Sequence, residues 1–493
     1  MRNPSSRPSR RALLTGGLGL AAAGTLTACG ADSANGRVRA AATSTAAPAS
    51  GRSVVTRTVV AKPVTLDLGG PHVQTWSYGD EAPGQLVRAT AGDLLRVTLD
   101  NQLPAETTIH WHGVATANAA DGVPGMTQDP VAPGDSFEYR FRVPDPGTYF
   151  FHPHVGVQLD RGLYAPLIVD DPADPGDYDL EWVVVLDDWL DGTGRTPDDV
   201  LETLTADSGS SSSGMGGMGG MGMGSGMGGS SVFGDAGDLT YPHYLVNGRV
   251  ASAPRTLTGT PGQRVRIRVV NAASDTVFAV ALGGHRMDVT HTDGHPVRRQ
   301  PTGAFYIGMG ERYDVEVTLE DGVFPLVAQP VGKAGLARAL VRTGSGSTPS
   351  ASFVPDELSG SVLLGSNLRP ANRAKLPSRS IDTDLRVTLN GQMSPYRWGI
   401  NGASYPDNET LRVSAGDRVR VQVSNMTMMS HPLHLHGHTF AVAGSGLRKD
   451  TLMLRPMESQ VLDLDADNPG RWAVHCHNTY HAMAGMMAEL RYR

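Results

Sequence analysis

Apolar and polar residues alternate with a period of two in three similar stretches of this chain. They are Leu95-Arg96-Val97-Thr98-Leu99, Val265-Arg266-Ile267-Arg268-Val269 and Val419-Arg420-Val421-Gln422-Val423. That period puts the apolar side chains on one face of an extended strand and the polar ones on the other. Each stretch follows a turn signal: Ala91-Gly92-Asp93, Pro261-Gly262-Gln263 and Ala415-Gly416-Asp417. Each ends at or near an asparagine: Asn101, Asn271 or Asn425. A turn followed by an alternating run predicts a strand. The spacing of the copies predicts three domains of roughly 150 residues each. With 60 glycines in the chain, a turn-rich β architecture is the expectation.

Histidines follow the first and third copies. His110-Trp111-His112-Gly113 lies after the first, and His431-Pro432-Leu433-His434-Leu435-His436-Gly437 after the third. A second element also recurs. Pro146-Gly147-Thr148-Tyr149 precedes His152-Pro153-His154, and Pro469-Gly470-Arg471-Trp472 precedes His475-Cys476-His477. The matching stretches of the middle copy, 277–284 and 322–330, hold no histidine. On a strand, His475 and His477 share one face and Cys476 points to the other. With His481 and Met486 following, a thiolate, an imidazole and a weak thioether form the ligand set of a blue-copper site. One His-x-His pair carries little weight alone. Four pairs among 16 histidines, at matching points of a repeat, carry much more. A single zinc ion takes about four ligands, far fewer than these, and the sulfur ligands favour copper by their softness.

Charge and cysteines narrow the setting. A net charge of -7 argues against a nucleic-acid footprint. Ser9-Arg10-Arg11 and the apolar run 12–23 read as a twin-arginine export signal. Leu26-Thr27-Ala28-Cys29 reads as a lipobox, with Cys29 as the lipidated residue; the alternative is an ordinary signal cleaved elsewhere. The other cysteine is Cys476, so no disulfide pair is left over. The expected layout is a signal over 1–29, a tether over 30–52 and a first domain over 53–172. A second domain follows over 178–345, with a Met/Gly-rich loop at 208–231. A linker over 346–382 then leads to a third domain over 383–493. No other segment is long and apolar enough to cross a bilayer.

The four histidine motifs, in this order, resemble those of the multicopper oxidases, a family of laccases, ferroxidases and cuprous oxidases. The resemblance covers essentially the whole mature chain and implies an all-β fold of three cupredoxin-like Greek-key β-sandwiches. It implies one type 1, one type 2 and two type 3 coppers. The type 1 ligands would be His431, Cys476 and His481, with Met486 axial. His110 and His434 would hold the type 2 copper. His112, His152 and His477 would hold one type 3 copper, and His154, His436 and His475 the other. The implied activity couples one-electron oxidation of a small reductant to four-electron reduction of O2 to water. Cys476, bonded through the chain to His475 and His477, would carry the electrons. Asp121 matches a family carboxylate expected to supply protons; its alternative role is as a turn residue in Asp121-Gly122. Tyr480 stands where some relatives place a second carboxylate. The chain is expected to be a monomer, exported and held at the outer face of the membrane by its lipid.

The methionines bear on the substrate. Met215, Met218, Met221, Met223 and Met227 lie in a stretch otherwise almost all Gly and Ser. A flexible linker explains the glycines but not five apolar thioethers. Thioethers are soft ligands that select Cu(I). Met428 and Met429, just before His431, either add to such a site or fill gaps in the core. This pattern resembles the bacterial, and especially actinobacterial, cuprous oxidases of copper resistance. Cu(I) oxidation is therefore expected, with Fe(II) and phenols as side substrates. The alternatives are a laccase-like phenol oxidase and a non-catalytic copper-binding envelope protein. Relatives carry an acidic residue where this chain has Thr427.

Overall fold

The computed structural model describes residues 38–40, 52–174, 176–206 and 231–493. The export segment, Cys29 and the five methionines Met215, Met218, Met221, Met223 and Met227 lie outside the described residues.

The three alternating stretches are strands: Leu94–Asn101, Arg264–Asn271 and Arg418–Asn425. Each sits between two partners, one parallel and one antiparallel. The parallel partners are Val54–Asp67, Leu180–Trp189 and Thr383–Met393. The antiparallel partners are Ser136–Arg142, Arg312–Thr318 and Ser459–Asp465. The asparagine that ends each strand is buried, and its amide donates to loop carbonyls. Asn101 donates to Ala105 and Val131, Asn271 to Thr276 and Ile307, and Asn425 to Met429 and Arg455. Each Oδ1 also accepts from the backbone N–H two residues on. This Asx turn is the physical basis of the repeated asparagine.

The middle strand departs from the alternation. Arg266 and Arg268 point to its polar face yet are buried, because both pair with the buried carboxylate of Asp314. That face is covered by protein.

Among the described residues the strands form six sheets in three pairs. In the first domain Val97, Leu99, Phe137 and Tyr139 from one sheet meet Trp111, Phe151 and Leu167 from the other. A second core runs through the middle and third domains. Among the described residues the α-helices are Pro197–Thr205 and Thr479–Met483. None is long and apolar enough to cross a membrane. The fold is thus the three-domain β architecture that the repeats predict, with the cupredoxin-like sandwiches that the family resemblance implies. The stretch 346–382 is more than a connector. Its Val362–Leu363 strand adds to the edge of the middle domain by pairing with Ala304 and Phe305. Two residues leave no periodicity in the sequence, so this docking is not legible there.

The paired histidines fall on neighbouring strands. His110–His112 pairs with Gly147–His152, with His110 opposite His152. His431–Leu435 pairs with Arg471–Cys476, with His434 opposite His475 and Leu433 opposite Cys476. Strand pairing therefore brings two motifs together within each of the outer domains.

Candidate metal centre

His431, Cys476 and His481 converge inside the third domain, all fully buried. The Cys476 thiol lies 3.6 Å from His431 Nδ1 and 3.7 Å from His481 Nδ1, and the two Nδ1 atoms are 3.0 Å apart. His431 opens its strand and Cys476 closes the neighbouring one. His481 sits on the short helix Thr479–Met483, whose start is fixed by the Asn478 side chain accepting from the Tyr480 and His481 N–H groups. Met486 is buried. Its N–H donates to His481 O, and its carbonyl accepts from Cys476 N. The outer nitrogens are also held. Thr427 Oγ1 is 2.7 Å from His431 Nε2, and Asp238 Oδ2 is 2.9 Å from His481 Nε2. Both Nδ1 atoms therefore face the thiol. Burial, reinforced by His481, keeps the His431 pKa well below its usual value. Burial also opposes charge on His481, but the Asp238 carboxylate outweighs it and raises that pKa to about 10.

Eight further imidazoles meet between the first and third domains. His110 stacks on His436 with ring centroids 3.7 Å apart, and His112 stacks on His434 at 3.8 Å. His475 Nε2 lies 3.0 Å from His436 Nε2 and 3.4 Å from His154 Nε2. His477 packs its ring against His112 at 4.7 Å and His152 at 5.3 Å. Most rings are tied outward by one nitrogen. His110 Nδ1 donates to Asp121 O, His152 Nδ1 to Pro153 O, and His475 Nδ1 to Cys476 O. His436 Nδ1 donates to Asp121 Oδ2, and His434 Nδ1 to Asp450 O.

The inward nitrogens have no such partner. His110 Nε2, His112 Nδ1, His152 Nε2, His434 Nε2 and both nitrogens of His477 are buried without a hydrogen bond. Each such orphan costs about 1–3 kcal/mol, and metal coordination removes the deficit. Burial, with neighbouring imidazoles adding to it, holds His112, His152, His154, His434, His436 and His477 well below the usual histidine pKa. Burial also lowers His475, to about 4. Neutral rings with free lone pairs are what a metal requires, so the donor set fits copper.

Among the described residues the nitrogens converge in small sets, none of which includes His477. His154, His436 and His475 form one set of converging nitrogens. His110 and His434 meet, joined by His436. His112 and His152 meet, joined by His110. Asp121 lies behind the cluster with both oxygens engaged, Oδ2 on His436 and Oδ1 3.2 Å from His110 Nδ1. Tyr480 is buried and donates to Asp160 Oδ2 at 2.5 Å. Met428 is 68% exposed, whereas Met429 is buried.

Sequence reasoning missed Asp238, Asp450 and Thr451. None of them carries a spacing signal; Thr451 is set opposite His434 by strand pairing, and Asp238 reaches His481 through the tertiary fold. Thr427 was noticed for the acid it replaces. Its bond to His431 was not legible.

Comparison with known proteins agrees with this arrangement. Family models described as multicopper oxidase match residues 59–174, 181–346 and 379–493. The chain is 48% identical to multicopper oxidase MmcO of Mycobacterium tuberculosis, over 99% of this chain and 97% of that protein. It is 28% identical to a copper resistance protein A homolog of Pseudomonas syringae pv. tomato, covering 83% and 87% of the two chains. The crystal structure of a multi-copper oxidase from Pseudomonas thermotolerans superposes with a TM-score of 0.69 at 28% identity, covering 89% of this chain and 99% of that one. With the paired histidines, the buried thiol and these matches in hand, the chain belongs to the multicopper oxidases, copper-binding oxidoreductases that use O2.

Proposed function

We propose that this oxidase takes its electrons from Cu(I) and serves copper detoxification at the cell envelope. The observation that carries the reading is the Cys476 segment. Its thiol faces His431 and His481, while the residues on either side, His475 and His477, belong to the eight-histidine cluster. One stretch of backbone thus joins both centres. His431, Cys476, His481 and Met486 would hold the type 1 copper. His110 and His434 would hold the type 2 copper. His112, His152 and His477 would hold one type 3 copper, and His154, His436 and His475 the other. Bound copper would supply one-electron redox chemistry and the reduction of O2 to water.

The chain's own residues orient and insulate these sites. Asp121 fixes the tautomers of His110 and His436 and is placed to hold a proton beside them. Burial excludes water from the cluster. Exposed Met428, beside the type 1 ligand His431, offers a soft ligand to Cu(I). The Met215–Met227 thioethers would gather the ion, and the Cys29 lipid would hold the protein at the outer membrane face. Relatives named copper resistance protein A support this reading.

The test compares steady-state O2 uptake with Cu(I), Fe(II) and a phenol as donors, before and after deletion of residues 208–231. Loss of Cu(I) turnover with phenol turnover kept or raised supports the proposal. Unchanged Cu(I) turnover overturns it in favour of the laccase-like reading, which relatives such as laccase-2 of Cryptococcus neoformans keep open. No O2 uptake with any donor would point to a non-catalytic copper-binding protein.

A further inference from the structure

The middle domain carries none of the paired histidines, yet one of its loops is pressed against the histidine cluster. Gly310 has φ +80°, and a Cβ there would lie 2.9 Å from the His477 ring and 3.0 Å from His112 Cε1. Two residues on, Arg312 is fully buried and reaches all three domains. Its Nε donates to Thr148 O of the first domain at 3.0 Å, and Nη1 donates to Gly310 O of its own at 3.0 Å. Its two Nη groups donate to the two oxygens of Asp450, in the third domain, each at 2.6 Å. Gly113, directly after His112, leaves the room for this pair. A Cβ there would fall 2.3 Å from Arg312 Nη2 and 2.7 Å from Asp450 Oδ2.

Asp450 passes this fixed geometry to two histidines through Thr451. The Thr451 hydroxyl is 2.9 Å from Asp450 Oδ1, 3.0 Å from His112 Nε2 and 3.0 Å from His434 Nδ1. A hydroxyl has one proton to give and two lone pairs to receive with. A carboxylate paired in a fork with arginine can only accept. The Thr451 proton therefore goes to Asp450, and its two lone pairs face N–H groups on His112 Nε2 and His434 Nδ1, the second of which it shares with the Asp450 carbonyl. Those tautomers leave His112 Nδ1 and His434 Nε2 as the bare nitrogens, and both are buried without a partner.

We propose that Arg312 is a positioning residue for the copper cluster: acting through Asp450 and Thr451, it dictates which nitrogen of His112 is open to metal and, together with the Asp450 carbonyl, which nitrogen of His434 is. The inference rests on the reading that these histidines bind copper. It gives the middle domain a part in the chemistry, that of setting the tautomers of ligands held by its two neighbours. Outer-shell partners of this kind change metal affinity by about 10- to 100-fold when removed.

The test uses the full chain reconstituted with copper, and compares Thr451→Val, Thr451→Ser, Arg312→Met and Arg312→Lys with the unaltered protein. Copper content, the type 2 electron paramagnetic resonance signal and the visible thiolate absorption are recorded, with copper affinity measured against a chelator. Thr451→Val keeps the shape and the Arg312–Asp450 pair but removes the hydroxyl, so it reports even if Arg312→Met fails to fold. The expected result for Thr451→Val and for folded Arg312→Met is lower copper content, from weaker binding at the site His112 serves, together with an altered type 2 signal. Copper at that site should bind about 10- to 100-fold more weakly, with the thiolate band unchanged. Thr451→Ser should restore the signal fully, and Arg312→Lys in part. A normal type 2 signal and copper content in Thr451→Val overturn the proposal. So does a loss that includes the thiolate band, which marks a general folding defect. An unaltered protein that takes up no copper at the cluster instead overturns the reading on which the inference rests.

Discussion

Asp238 Oδ2 lies 2.9 Å from Nε2 of His481, and both side chains are fully buried. Tyr396 Oη donates to the same carboxylate oxygen at 2.5 Å. The negative charge thus sits against the outer nitrogen of a proposed copper ligand, where the low dielectric strengthens it. It favours the more positive, oxidised state of the metal. Asp238→Asn should raise the reduction potential of the type 1 site and change kcat/KM by about 10- to 100-fold. A redox titration followed through the thiolate absorption checks this. An unchanged potential would show that the pair is purely structural.

Asp121 serves two rings at once, accepting from His436 Nδ1 while Oδ1 lies 3.2 Å from His110 Nδ1. An asparagine in its place keeps one acceptor and turns an N–H toward the other ring. An imidazole N–H then faces an amide N–H, although His110 Nδ1 keeps the backbone carbonyl of residue 121. Asp121→Asn should lower O2 turnover by about 10- to 100-fold while leaving the thiolate absorption in place. Turnover within twofold of the unaltered enzyme, taking about 0.4 kcal/mol as negligible, would remove Asp121 from the proton and positioning roles.

Much of this candidate site was legible because its histidines recur. The period-2 strands and their terminal asparagines mark the three domains. The His-x-His pairs then follow from the β pleat, which puts alternate residues on one face. Asp121 was legible through its resemblance to a family position. The groups that orient these histidines were not legible. Asp238, Asp450, Thr451 and Arg312 follow no periodicity, and each lies far in sequence from the ring or carboxylate it meets. Arg312 opens a strand and is fully buried. Burial of its charge is possible only because Asp450 arrives from another domain. Tyr480 is similar: its hydroxyl meets the buried Asp160, a partner no local pattern announces.

Acid should destabilise the copper-free protein through these same rings. His475 is lowered to about 4, and the other cluster rings with resolved shifts lie well below 6.5. Between the folded and unfolded values the unfolded chain binds more protons, so stability rises with pH across that window. It is lost as pH falls below about 6.5, by up to about 1.4 kcal/mol per pH unit for each ring. His481, raised to about 10, works oppositely: its contribution is present below the unfolded value and fades as pH rises toward 10. One such group is outweighed by the many lowered rings. Calorimetry of the copper-free protein should show Tm falling from pH 7 to pH 5. Copper should raise Tm at pH 7 and lose that effect in acid as protons compete for the nitrogens. A Tm that is flat over this range in the copper-free protein would contradict the buried, neutral cluster.

Gly122 separates a backbone requirement from a contact requirement. It follows Asp121, adopts φ +80°, and a Cβ on it would lie 1.9 Å from Ile109 O and 3.0 Å from His110 N. Gly125 nearby also has a positive φ, +71°, but a Cβ there would meet nothing within 4 Å. Each Gly→Ala change incurs the left-handed backbone penalty, about 1–2 kcal/mol. Only Gly122→Ala must also push the backbone of Ile109 and His110 aside. That shift moves His110 and the Asp121 carboxylate together, since His110 Nδ1 donates to Asp121 O. Gly125→Ala should therefore lower Tm slightly and leave copper content unchanged. Gly122→Ala should lower Tm further and reduce type 2 copper occupancy. Equal effects from the two substitutions would mean that the contact with Ile109 does not set the position of His110.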